Sequence, residues 1–223
     1  MTQPVLTDFL ALALWVCFSI CQLAPCVLAQ PASSEASPKS EQAGHPRSVI
    51  NHKLPAAIGN RLTIKEVQVF GTAETTKWKL ITDGKERTYL IVFGKNDDII
   101  AGLYRFLDAT KIQGGHFTAI GAVGAAALGF FRPEDHTYKV VKIETQTEVS
   151  SLVGNIGMKN GKPVVHAHGV FSLNDASCVA GHVFYASAWP TVEMTVTECQ
   201  TAPIRHLDDE SGLWLYDTEA ETK

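Results

Sequence analysis

His166 and His168 sit one residue apart in the run Lys162-Pro-Val-Val-His-Ala-His168. The β-branched residues ahead of them favour a strand, whose period of two puts both imidazoles on one face. His182 follows across the polar stretch 174–180, so a strand returning through that loop brings a third imidazole to the same place. Three neutral imidazoles from neighbouring strands suit a divalent cation, zinc first among them, and leave a coordination position for water or a small-molecule ligand. A His-x-His pair in a strand is also what an exposed polar face looks like, and Gly181-His182 fits a bulge. Glu193 is the carboxylate best placed along the chain to line such a site, as partner to a ligand histidine or as a catalytic acid/base. A cross-strand ion pair or a solvated face is the plainer role for it.

Positioning these side chains requires a sheet. Arg61–Phe70 alternates weakly and reads as a strand. Trp78–Thr82 and Thr88–Phe93 flank Asp83-Gly84, and Leu152–Met158 and Pro163–Leu173 flank Asn160-Gly161, both good hairpin turns. Phe117–Val123, Ala126–Phe131, Tyr138–Glu148, Gly181–Ala188 and Thr191–Glu198 supply further strands. Between them, Asn96 offers a helix N-cap with Asp97 and Asp98 in the first turn. Ile99, Ile100, Leu103, Phe106 and Leu107 recur at helical spacing, predicting an amphipathic helix over 97–109. One main helix against a mostly antiparallel sheet is an α+β layout.

The ends differ in character from this core. Residues 10–29 are almost purely apolar and close on Val27-Leu28-Ala29, which reads as a secretory signal peptide over 1–29. Such a segment exports the domain to a periplasmic or extracellular space. Asp8 and the lack of Lys or Arg in the first nine residues leave an uncleaved membrane anchor over 10–29 as the alternative. Residues 30–60, rich in Pro, Ser, Ala, Glu and Gln, read as a disordered linker, followed by one domain over 61–217 and a tail at 218–223. With 19 Lys and Arg against 23 Asp and Glu the net charge is −4, and no basic cluster occurs, a poor footprint for nucleic acid. No phosphate-binding glycine loop stands between a strand and a helix. Outside the apolar N-terminal segment only Cys178 and Cys199 remain. A hairpin turning at Ala188-Trp189-Pro190 would set them nearly opposite each other as a disulfide. A slip of one residue would leave two free thiols.

The order of motifs resembles the plants-and-prokaryotes-conserved (PPC) domain. The likeness rests on the helix followed by Phe117-Thr-Ala-Ile-Gly-Ala-Val-Gly, then Leu128-Gly-Phe-Phe and Glu148-Val-Ser-Ser-Leu-Val-Gly-Asn155. It continues through Gly161-Lys-Pro-Val-Val-His-Ala-His168, Ala180-Gly-His182 and Pro190-Thr-Val-Glu193, covering about residues 62–217. The resemblance implies a fold that assembles as a homotrimer and is similar to that of acetolactate decarboxylase, a metal enzyme with a three-histidine site. It also implies a histidine cluster at His166, His168 and His182, and a DNA-binding label carried by association with plant proteins that bear AT-hooks. This chain has no Arg-Gly-Arg-Pro hook, and Thr145–Glu148 lacks the aromatic that the family usually places before that glutamate. The combined expectation is an exported, trimeric binding or assembly module with a three-histidine metal site. A metal-dependent lyase or hydrolase is the second expectation and a DNA-binding protein the third.

Overall fold

The computed structural model describes residues 53–220. The expected signal peptide, most of the expected linker and the last three residues lie outside the described residues. Ten strands and one α-helix follow in order: β1 (Arg61–Thr63), β2 (Lys77–Thr82), β3 (Thr88–Phe93), α1 (Ile99–Thr110), β4 (Gly115–Arg132), β5 (Thr137–Ile143), β6 (Thr147–Lys159), β7 (Lys162–Ser172), β8 (Cys178–Glu198), β9 (Arg205–Leu207) and β10 (Trp214–Tyr216). A 3-10 turn, Ile64–Glu66, follows β1. Eight strands form one antiparallel sheet in the order β1-β5-β4-β6-β7-β8-β3-β2, and β9 and β10 make a separate hairpin. The α+β layout with one helix on a mostly antiparallel sheet is thus observed.

Two very long strands organise the sheet. β4 pairs with β6 through its first half and with β5 through its second, while its other edge pairs with β8 from Gly115↔Glu198 to Gly129↔His182. Because β6 pairs with β7 and β7 with β8, the path β4-β6-β7-β8 returns to β4 and the sheet curls back on itself. Small residues make the close approach feasible: a Cβ at Gly129 would collide with Phe184, and one at Gly154 with Phe117.

α1 packs on this curled surface through Ile99, Ile100, Leu103, Phe106 and Leu107, which are buried against Ile91, Phe93, Phe117, Leu152, Phe171 and Val192. Burying side chains of this size contributes roughly 1.5–3 kcal/mol each. Asp98, not Asn96, caps the helix: its carboxylate accepts from the amides of Ile100 and Ala101 at 3.3 and 3.4 Å. Asn96 instead takes a positive φ of 67° and bonds the Ala188 carbonyl through its own N–H. A second core forms around Leu62, Ala127, Tyr138, Val140 and Phe184. Leu54 and Ile58, expected to be linker, pack into it, with Ile58 only 2% exposed. Apolar side chains spaced four apart were enough to pull this end of the segment onto the domain.

The expected turn at 188–190 is absent. β8 runs unbroken through Trp189-Pro190 because β4 pairs with it on both sides of that point. Cys178 and Cys199 therefore lie at and just beyond opposite ends of one strand, and both are free thiols. The proposed disulfide is ruled out by this separation.

Candidate metal centre

β7 and β8 form a hairpin whose register runs from Ser172↔Cys178 to His168↔His182. The first strand supplies two histidines on one face, since Ala167 between them is buried in the core. The second supplies His182 directly opposite His168. The three imidazoles lie with ring centroids 5.1 Å apart for His166–His168, 5.1 Å for His166–His182 and 5.5 Å for His168–His182. One ligand nitrogen from each falls within 4.8 Å of the others.

Aromatic packing holds the cluster in place. His182 lies against Tyr138 and Phe184 at centroid distances of 5.6 and 5.0 Å, in the space left by the glycine opposite it, Gly129. The Nδ1 of His182 is buried without a hydrogen-bond partner, an unsatisfied nitrogen of the kind that a coordinated cation satisfies. Burial lowers the His182 pKa to about 3, with the neighbouring His166 and His168 adding to the effect. Burial likewise lowers His166 to about 4, helped by His168 and by the positive charge of Arg205. Both rings are therefore neutral at physiological pH, the form that binds a metal. The donor set fits a divalent cation of the zinc type: imidazole nitrogens only, already deprotonated and converging.

Beyond His182 the β7–β8 pairing stops. β8 continues along β4, while the amide of Val165 on β7 donates to the Tyr104 hydroxyl of α1 at 3.2 Å. The gap is a cavity of about 520 Å³ onto which His166 and His182 open. Its lining also includes Ile64, Val67, Gln68 and Val69, which follow β1, and Arg205, Leu213, Trp214, Leu215 and Tyr216 from the β9–β10 hairpin and the residue before β10. His168 is exposed and does not line it.

Glu193 does not join this site. It pairs with Val92 and Ile120, is exposed, and lines a separate shallow groove with Leu90 and Thr118. The missing turn at 188–190 is the cause, because an unbroken β8 carries Glu193 away from His182. Among the described residues no acidic side chain lines the histidine cavity. Sequence reasoning overlooked Asn155, Tyr104 and Arg205. Asn155 stands opposite His166 in the β6–β7 register, and Arg205 comes from the segment after β8, to which no strand was assigned from the sequence. The one signal for Arg205 was a cation followed, across a Ser-Gly turn, by Leu213-Trp-Leu-Tyr216.

Comparison with known proteins places this geometry in context. A model of the Plants and Prokaryotes Conserved (PCC) domain matches residues 81–200. A solved structure from Bacteroides thetaiotaomicron, provisionally named a DNA-binding protein, is 28% identical with a TM-score of 0.60, over 64% of this chain and 99% of that one. A metal-containing protein from Archaeoglobus fulgidus is 27% identical with a TM-score of 0.55, over 64% of this chain and 98% of that one. A PPC protein from Pyrococcus horikoshii, 24% identical with a TM-score of 0.56 over 65% of this chain and 97% of that one, shares the fold. No curated protein matches the chain. With its curled sheet, single helix and a family match spanning more than half of its length, the chain belongs to the Plants and Prokaryotes Conserved domain family.

Proposed function

We propose that this protein is an exported, homotrimeric binding module that holds a divalent cation, zinc by preference, on His166, His168 and His182. The observation that carries the reading is the convergence of three imidazole nitrogens within 4.8 Å, in a setting that keeps two of the rings neutral. The Archaeoglobus relative, named as metal-containing, adds support. A cation there would act as a Lewis acid toward a carbonyl or a water. Export is supported by the apolar stretch 10–29 ending in Val27-Leu28-Ala29. Among the described residues no helix is long and apolar enough to cross a membrane.

Elemental analysis of the purified protein tests the metal. Near-stoichiometric zinc, lost in a His166→Ala/His168→Ala variant, is expected. A metal-free protein that takes up no zinc on dialysis would refute the site.

A second reading, a metal-dependent lyase or hydrolase, is favoured by the cavity opening onto His166 and His182. Glu193 has no part in it. Turnover of small carbonyl or ester substrates that vanishes in the same double variant would support this reading. DNA binding is suggested by the names of relatives from Bacteroides thetaiotaomicron and Ralstonia eutropha. The net charge of −4 gives little to hold a phosphate backbone, and salt-dependent retention on duplex DNA is the measurement that would favour it.

A further inference from the structure

Arg205 is 8% exposed and opens the β9–β10 hairpin. Its Nη1 donates to the Trp214 carbonyl at 2.9 Å and its Nη2 to Asn155 Oδ1 at 2.5 Å. The Tyr216 ring lies 4.0 Å from its Cζ. Its Nε is buried with no partner, and among the described residues no carboxylate forms an ion pair with it. Tethering the hairpin to β6 needs only the two hydrogen bonds, which a neutral side chain could make. A buried guanidinium without a counter-ion is costly, so the site is built as though an anion completes it.

The surroundings specify that anion. Asn155 is the cross-strand partner of His166, so Arg205 is held beside the histidine cluster. Arg205 and Lys159 are the two cationic side chains other than histidine on a wall that contains no acid. Apart from Gln68, Asn155 and the histidines, the rest of the cavity is apolar and aromatic, with Val67, Val164, Leu213 and Trp214 among its walls. The planar guanidinium fork matches a carboxylate, which brings one charge and two in-plane acceptors. A phosphate monoester brings nearly two charges and three acceptor oxygens, and the Lys159 ammonium is turned to the Trp214 ring, 4.5 Å from its centroid.

We infer that the cavity binds a small monocarboxylate with an apolar body, its carboxylate on Arg205 and its other end at the histidine cluster. Only the second half of that statement rests on the metal reading. Arg205, Val67, Leu213 and Trp214 lie outside residues 81–200, whereas Asn155, His166 and His182 lie within them.

Isothermal titration calorimetry on the full chain, stripped with EDTA and again loaded with zinc, tests the inference. The probes are benzoate, hexanoate, neutral benzamide and inorganic phosphate. Benzoate or hexanoate should bind one per chain, and Arg205→Gln should weaken that binding about tenfold or more, as expected for loss of a charge-assisted hydrogen bond. Arg205→Lys, which keeps the charge and removes the fork, should also weaken it while melting near the wild type. This second variant keeps the test valid if the glutamine protein unfolds. Benzamide binding as tightly as benzoate would overturn the inference. So would phosphate outcompeting both acids, no heat from either acid, or unchanged binding in a folded Arg205 variant. If the stripped protein takes up no zinc on reloading but Arg205→Gln still abolishes benzoate binding, the metal reading fails and the carboxylate site stands.

Discussion

Asp97 and Asp98 are adjacent, buried, and answer their surroundings in opposite directions. Burial raises the pKa of Asp97, but bonds from the Thr75 amide, the Thr76 and Thr75 hydroxyls and the Gly94 amide outweigh it, and the net shift is downward. For Asp98 burial wins over the amides of Ala186, Ile100, Ala101 and Gly71, and its pKa is raised to about 6. A carboxyl raised in the folded state contributes stability that is full below its unfolded value, near 3.8, and is lost as pH rises through 6. Asp98→Asn removes that titration. The melting temperature of the wild type relative to Asp98→Asn should therefore fall between pH 4 and pH 6 and stay level above pH 7, the change amounting to on the order of 2–3 kcal/mol. A difference that is level across the whole range would show that the amides, not burial, control this carboxyl. At the same scale, His166 and His168 could be read from the sequence because a strand's period of two is a local rule. His182 needed only a hairpin returning through 174–180. Arg205 could not be read in this way, since its importance comes from burial against Asn155 and Tyr216, which no local spacing encodes.

At the scale of elements, the turns at Asp83-Gly84 and Asn160-Gly161 and the helix were legible because each depends on neighbouring residues. β4 and β8 were not. Each was expected as two strands, broken near Gly124 in one and at Trp189-Pro190 in the other, yet each is continuous because the other supports it along nearly its whole length. Long-range pairing overrode the local breaking signals, and with them went the proposed roles of Glu193 and the Cys178–Cys199 pair. The same close packing of strands predicts a sensitive point at Gly154 on β6. A methyl group there would strike the Phe117 ring and the carbonyl of His166. Gly154→Ala should destabilise the fold by about 1–3 kcal/mol, the usual cost of overpacking, measured by urea unfolding. It should also weaken zinc retention, because the displaced carbonyl belongs to His166, one of the three proposed ligands. Unchanged stability would mean that β6 and β7 can separate slightly without penalty.

The whole molecule raises the question of what covers the sheet face opposite α1. Along β3, Tyr89, Ile91 and Phe93 point into the core, which leaves Leu90 and Val92 outward, each 37% exposed. Val92 pairs with Glu193 on β8, and Glu193 with Ile120 on β4, so the three share a row. In the next row Leu90 pairs with Thr195, Thr195 with Thr118, and Thr118 with Val153 on β6. Ile120 is 63% exposed and Val153 47%, so four outward apolar side chains stand across four strands, separated by the exposed Glu193, Thr195 and Thr118. Exposed apolar side chains grouped on one face suit an interface, and in the proposed homotrimer two further copies of the chain would cover them. Light scattering should give three times the mass of the purified chain. Ile120→Glu, which puts a second carboxylate beside Glu193, should reduce that to one while leaving zinc content unchanged, because the histidine cavity is bounded by other residues. A wild type that runs as a monomer would remove the trimer from the proposed function, and a trimer untouched by Ile120→Glu would move its interface to another face. Loss of zinc together with the trimer would mean that the metal centre is completed only on assembly.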